Sequence, residues 1–207
     1  MPDDSNLASR VIPVQDRAQQ RVSDILDATQ ALLQAGDKVT TSTIAERADI
    51  PVGSVYRYFP NLDAVYLALF VRLSMQLREQ IEGVISEKST EIHWQELHRR
   101  SLEQSLGFIS ENLAYGKLKF GMPTEAVNQV EQEAISYLAG VLAHRWEAGY
   151  DGFSGGDVRE VAQVAARLFT FVEQCHYETL IDDGTHPSLV NEAIKALGAY
   201  LSLYLEG

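Results

Sequence analysis

"TSTIAERADIPVGSVYRYF", residues 41–59, decides how the chain reads. Two short apolar patterns flank a tight corner. Thr40 or Thr41 stands where an N-cap is favoured, because a side-chain hydroxyl there accepts from a free N–H of the first helical turn. Ile44, Ala45 and Ala48 then share one face, which predicts a helix of two turns, too short to stand alone. Asp49 and Ile50 make the corner, where Asp tolerates left-handed backbone better than most residues but less well than Gly. Pro51 follows at the expected first helical position, where its missing N–H costs nothing. "PVGSVYRYF" is thus a third short helix. Val55 and Phe59, four residues apart, face inward. Ser54, Tyr56, Arg57 and Tyr58 are left as donors, and Gly53 leaves the backbone bare.

Two such helices joined by a tight turn form the helix-turn-helix unit, whose second helix lies in the DNA major groove. Gly53 would let that backbone approach a phosphate or groove wall closely.

Outward from this core, Val22, Ile25, Leu26, Thr29, Leu32 and Leu33 recur at helical spacing, and Gly36 sits where a C-cap belongs. A first helix is expected over about 15–34. After Pro60, Asn61 caps a pattern of some two dozen residues without a breaker. Further helical patterns cover about 91–115, 123–148, 157–182 and 187–205, separated by the linker-like stretches "GKLKFGMP", "GYDGFSGG" and "DDGTHP". No run of alternating β-branched residues is long enough for a strand. The expected architecture is all-α: a flexible tail over 1–14, a three-helix helix-turn-helix DNA-binding domain over 15–60, and a larger helical domain for ligand binding and dimerisation over 61–207.

With 207 residues, 45% hydrophobic and 22% charged, the chain is in the ordinary globular range. No secretory or membrane-spanning pattern is present, so a cytoplasmic location is expected. The lone Cys175 excludes an internal disulfide framework. A net charge of −12 argues against nucleic acid, since Lys and Arg neutralise phosphate. The acidity is unevenly placed, however. Residues 1–60 hold six Lys/Arg against eight Asp/Glu, net −2, whereas the remainder holds 11 against 21, net −10. Arg10, Arg17 and Arg21 add local basic charge.

"ILDA" at 25–28, Thr40, "IAERA" at 44–48, "GSVYRYF" at 53–59 and Pro60 resemble the N-terminal domain of the tetracycline-repressor (TetR) family over about residues 15–70. The resemblance implies a ligand-responsive DNA-binding transcriptional regulator, most simply a repressor, that binds a palindromic operator as a homodimer and is released by a small-molecule effector. It implies DNA contacts from Thr40, Ser42, Thr43, Val52, Gly53, Ser54, Tyr56, Arg57 and Tyr58. Tyr56 matches the family's phosphate-contacting tyrosine and Gly53 its close-approach glycine. Val52 and Arg57 occupy positions that vary with operator sequence. Helices four to eight would surround an effector pocket, with Phe70, Trp94, Phe108, Phe169 and His176 as candidate lining. The last two helices would pair with their symmetry mates through Val161, Ala165, Leu168, Val172, Ala193, Leu197, Tyr200, Leu201 and Tyr204. The same stripes also suit a core within one chain.

Three positions depart from the family pattern. Asp49 replaces the turn glycine, Val52 replaces a common lysine, and Leu62 replaces a lysine that meets phosphate, so fewer cationic contacts are expected. No cofactor and no metal are expected: His93 and His98, five apart, point to different faces of a helix. Cys175 and His176 diverge by about 100° on a helix and do not form a nucleophile–base pair. The chain has no Gly-x-Ser-x-Gly turn and no phosphate-cradling loop, which disfavours a hydrolase. A helical adaptor without DNA binding is the remaining alternative, supported by Val52, Leu62 and the net charge.

Overall fold

The computed structural model describes residues 14–85, 92–182 and 187–206. Most of the expected tail, including Arg10, lies outside the described residues, as does His186. The described residues are helical, with no strand. The chain divides into two compact units, Met1–Val65 and Tyr66–Gly207.

In the first unit, α1 (Val14–Ala35) packs on α2 (Thr41–Arg47), and α2 packs on α3 (Val52–Tyr58). Ile25, Ile44, Ala45, Val55 and Phe59 are buried, so the inward spacing read from the sequence builds this core. Both α1 and α2 end in Schellman caps, in which two carbonyls of the last turn are satisfied by N–H groups beyond it. At α1, Gly36 N–H donates to Leu33 O at 3.2 Å and Asp37 N–H to Leu32 O at 3.0 Å. At α2, Asp49 N–H donates to Glu46 O at 3.2 Å and Ile50 N–H to Ala45 O at 3.0 Å. The two caps use different residues in the left-handed slot: Gly36 at φ 74° and Asp49 at φ 52°. A β-carbon in that region costs about 1–2 kcal/mol, which Asp offsets in part through its polar side chain. Asp49→Ala is therefore expected to lower stability by about 1 kcal/mol while Asp49→Gly lowers it little or not at all. Thermal denaturation of both variants checks this, and equal losses would show that the slot carries no strain. Pro51 proves to be the N-cap of α3, with extended backbone, and not its first helical residue.

The second unit contains most of α4 (Leu62–Ile85), then α5 (Trp94–Glu111), α6 (Leu113–Gly116), α7 (Glu125–Glu147), α8 (Val158–Ile181) and α9 (Pro187–Leu201). Asn61 Oδ1 accepts from Ala64 N–H at 2.9 Å and caps α4 as its sequence position suggests. α8 packs on α7, α9 and α5.

Two readings of the sequence are corrected here. "GKLKFGMP" is not a linker: after α6 the chain continues as a π-helical turn, Lys117–Gly121, with Leu118 and Lys119 buried. Its glycines serve close packing. A β-carbon on Gly116 would lie 2.4 Å from Tyr177 Cδ2, and one on Gly121 would lie 2.8 Å from the Tyr177 hydroxyl. The second correction concerns the stripes on α8 and α9. Val161, Ala165, Val172, Ala193, Leu197 and Leu201 are buried within the chain itself, while Leu168, Tyr200 and Tyr204 are half-buried. The periodicity locates an apolar face without revealing which surface covers it. The exposed apolar side chains of this region are others: Val164, Phe171, Leu180, Ile181, Leu189 and Leu203, the last 71% exposed.

Candidate nucleic-acid interface and inner cavities

The polar face of α2 and α3 follows directly from their shared core. With Val55 and Phe59 turned inward, Val52, Gly53, Tyr56 and Arg57 face outward, and Tyr56 is 55% exposed. The Tyr56 hydroxyl lies 3.1 Å from Thr41 Oγ1, a contact that bridges the two helices at the surface and fixes where the phenol points. The Arg57 guanidinium lies 5.9 Å from the centre of the Tyr58 ring. Gly53 has no side-chain neighbour to avoid: a β-carbon there would meet nothing within 4 Å. The fold of the unit therefore gives no reason for a glycine, and the bare backbone faces outward.

Thr40 and Thr43 carry a duty that the sequence only half revealed. They form a capping box: Thr43 N–H donates to Thr40 Oγ1 at 3.1 Å, and Thr40 N–H donates to Thr43 Oγ1 at 2.9 Å. Thr43 Oγ1 also donates to Lys38 O at 3.0 Å. Their hydroxyls hold the start of α2, while Ser42 between them is exposed and Ser54 is half-buried. Arg17 is exposed, and Arg21 reaches Asp24 at 3.4 Å. Val52 and Leu62 bring no cation to this face.

Two cavities lie inside the second unit. The first, about 590 Å³ with its open mouth, has walls of Leu77, Ile81, Ile135, Leu138 and Phe169. At one end it meets a charged cluster that sequence reading missed. Lys119 Nζ lies 2.6 Å from Glu173 Oε2, 2.9 Å from Glu131 Oε1 and 3.4 Å from the Tyr115 hydroxyl. The side chains of Lys119 and Glu173 are each only 4% exposed. Ser105 Oγ donates to the other Glu173 oxygen. Burial alone would depress the Lys119 ammonium, but Glu173, Tyr115 and Glu131 outweigh it and hold its pKa well above the usual lysine value. Burial pushes the Glu131 carboxyl up, and the Glu173 charge adds to the push. The π-helical turn places Lys119 here, a local distortion that recurs at functional positions. The two lysines of the Gly-bounded "GKLKFG" do not show in the sequence which one is buried, and the partners of Lys119 lie on α7 and α8 with no fixed sequence offset.

The second cavity, about 560 Å³ with its mouth, shares Ile85, Leu138 and Phe169 with the first. Trp94 and His98 line it, and neither Trp94 Nε1 nor His98 Nε2 has a hydrogen-bond partner. Burial lowers the His98 pKa to about 4, so its ring is neutral. Arg145 at the same cavity is held by both carboxylate oxygens of Asp151, at 2.7 and 2.9 Å.

The five candidate pocket residues thus separate. Phe169 lines both cavities and Trp94 the second. Phe70 and Phe108 are buried behind them, each with its ring centre 5.5 Å from that of Tyr115. His176 lines neither cavity and bonds to Ser110 Oγ at 2.8 Å. Among the described residues no group of three or more His, Cys, Asp or Glu is placed to hold a metal ion. Cys175 is buried. Among the described residues no helix is long and apolar enough to cross a membrane.

Comparison with known proteins places these observations. Residues 25–69 match the family model for bacterial regulatory proteins, tetR family. An uncharacterized HTH-type transcriptional regulator, YhgD of Bacillus subtilis, is 24% identical over 190 residues, covering 86% of this chain and 90% of that one. A TetR-family transcriptional regulator from Streptomyces coelicolor superposes with a TM-score of 0.64 at 24% identity, over 89% of this chain and 99% of the other. The transcriptional regulator FadR from Bacillus subtilis, in complex with stearoyl-CoA, superposes with a TM-score of 0.65 at 19% identity, over 84% and 96%. The matched segment spans the second half of α1, all of α2 and α3 and the start of α4, and the fold is shared over most of the chain. Residues 25–69 are a segment of the tetR family of bacterial regulatory proteins, with the helix-turn-helix at α2 and α3, and the chain shares the fold of a TetR-family transcriptional regulator over most of its length.

Proposed function

We propose that the protein is a cytoplasmic, ligand-responsive repressor that binds a palindromic operator as a homodimer. The observation that carries the DNA-contacting face is the outward surface of α3, with bare Gly53 beside exposed Tyr56 and Arg57. Gly53 admits a phosphate or groove edge to the backbone, and Tyr56, oriented by Thr41, donates to phosphate. Arg57 reads a guanine edge or a phosphate, and Val52 meets a thymine methyl. Residues 15–60 form the DNA-binding part and residues 61–207 the regulatory part.

The exposed apolar side chains of α8 and α9 support dimerisation, because large apolar groups left at the surface mark association sites where they gather on one face. Val164 and Phe171, two turns apart, mark one exposed face of α8, while Val161, Ala165 and Val172 are turned to the core. A two-fold pairing would cover that face and set the two α3 helices about 34–36 Å apart, one helical turn of DNA. The inner cavities of the second unit support an effector site, being apolar with a few polar groups. α4 lines the first cavity from Ser74 to Ile85 and begins at Leu62, directly after the DNA-binding segment. Effector binding shifts the population toward a dimer whose α3 spacing no longer matches the operator.

Selection of random duplex DNA on the purified protein at stated salt, repeated with Tyr56→Ala, tests the reading. The native protein is expected to enrich a palindrome. The variant is expected to lose about 1.5–3 kcal/mol of affinity for it, the worth of hydrogen bonds to charged groups. No enrichment by either protein would bring the adaptor alternative forward and make the missing lysines at 52 and 62 decisive.

A further inference from the structure

The charged side chains that line the first cavity do not balance. From α4 come Arg78 and Glu82, from the π-helical turn Lys119, from α7 Glu131 and from α8 Glu173. Two cations face three carboxylates. Arg78 and Glu82 sit with Tyr137, which hydrogen-bonds to Glu82 while the guanidinium lies 4.7 Å from the centre of its ring. Deeper in, one ammonium serves two glutamates. Glu173 is fully engaged, by Lys119 on one oxygen and Ser105 on the other. Glu131 makes both of its contacts, to Lys119 and to Thr170 at 3.4 Å, through Oε1. A largely buried carboxylate that shares its only cation is costly unless it takes up a proton or meets a further cation. Other features of the same cavity also suit a cation. The Phe169 ring lines it beside Tyr115 and Tyr137, whose rings already carry Lys119 at 5.5 Å and Arg78 at 4.7 Å, and aromatic faces attract cations. Ser74, also in the lining, has a buried hydroxyl without a hydrogen-bond partner.

We infer that this cavity takes a lipophilic organic cation of the alkylammonium class, its charge set against Glu131 and its chain against Ile81, Ile135, Leu138 and Phe169. The inference rests on the reading of this cavity as the effector site and specifies its ligand chemistry. An anionic ligand is disfavoured, because the lining already sets three carboxylates against two cations and a further negative charge would deepen the imbalance. Burial raises the titration of Glu131. Below that titration the cation must displace a proton from the carboxyl, so binding strengthens as pH rises through it and levels off above it.

Calorimetric titration with decyltrimethylammonium, decanol and decanoate, in buffers of differing ionisation enthalpy, tests this. The permanently charged probe leaves Glu131 as the titrating partner. Its affinity is expected to exceed that of decanol by about tenfold, with decanoate weaker still. It is expected to fall about tenfold per pH unit below the Glu131 titration, with one proton released per ligand. Glu131→Gln should remove both the slope and the proton release. Should that variant not fold, the slope in the native protein and a cavity-filling Ala134→Phe, expected to block the cation, decide instead. Equal or tighter binding of decanoate or decanol, a slope that survives Glu131→Gln, or no binding of the cation would overturn the inference. Operator affinity is read in the same series. Release by decanol or decanoate but not by the cation would leave the effector reading standing and this inference refuted. Cation binding with the pH slope but unchanged operator affinity would do the reverse.

Discussion

Gly53→Leu is expected to abolish operator binding while leaving the DNA-binding unit at least as stable as the native one. The two halves of this expectation come from one observation. A β-carbon at Gly53 meets no atom within 4 Å and the residue is exposed, so a leucine side chain there starts into open space. It also replaces the weakest non-proline helix former with a strong one inside α3, a gain of up to about 1 kcal/mol. The loss must then come from outside the chain. If the backbone at residue 53 approaches DNA, a leucine side chain holds α3 away from the groove, and a drop in affinity of about a hundredfold or more follows, roughly 2.7 kcal/mol. Thermal denaturation and binding to the selected site measure both sides. Undiminished affinity would mean that DNA does not approach α3 through Gly53. A loss of stability matching the loss of binding would assign the glycine to folding instead.

The largest effect on stability is expected at Lys119. Lys119→Met leaves Glu131 and Glu173 facing each other without the ammonium that lies within 3 Å of both. Breaking a buried ion pair from one side costs about 3–5 kcal/mol, because the remaining charge stays desolvated. The effect has a pH signature. The Lys119 pKa is raised in the folded chain, so its stabilisation is complete below the ordinary lysine value and is lost only as pH climbs through the raised one. The variant exposes the same sign of linkage, at lower pH, in a carboxyl whose titration is raised. Such a group binds a proton more tightly folded than unfolded, so the variant should regain stability as pH falls toward the ordinary carboxyl range. Denaturation at pH 8 and pH 5 checks this, with the larger deficit expected at pH 8. The double variant Lys119→Met with Glu173→Leu should recover part of the loss, since an apolar replacement of a buried pair is often close to neutral. A deficit that ignores pH would show that the lysine acts through its aliphatic stem alone.

Both sites depend on side chains in close contact, but they were unequally visible from the sequence. The polar contacts that shape the α2–α3 unit are local, from the Thr40–Thr43 capping box to the Tyr56–Thr41 contact fifteen residues apart. Caps, turn residues and inward spacing act at fixed offsets, so the sequence displays them. Even here one role was hidden. Thr40 and Thr43 have the hydroxyls expected of phosphate ligands, and only the hydrogen-bond geometry shows that they hold each other and the start of α2. The Lys119 cluster joins residues 54 positions apart across three helices, and no periodicity marks such a meeting.

The amino-acid sequence by itself determined the all-helical class, the boundaries of most helices and the helix-turn-helix, because propensity, capping and amphipathic period act over a few residues. The tertiary structure alone decided three matters. It turned "GKLKFGMP" from a linker into a π-helical turn, since the packing of Tyr177 against Gly116 and Gly121 arises only when α8 docks. It assigned one stripe of α8 and α9 to the chain's own core and left another exposed, because an apolar face carries no record of which surface will cover it. It also brought one buried ammonium to two carboxylates beside an apolar cavity, because electrostatic balance is a property of what folding brings together.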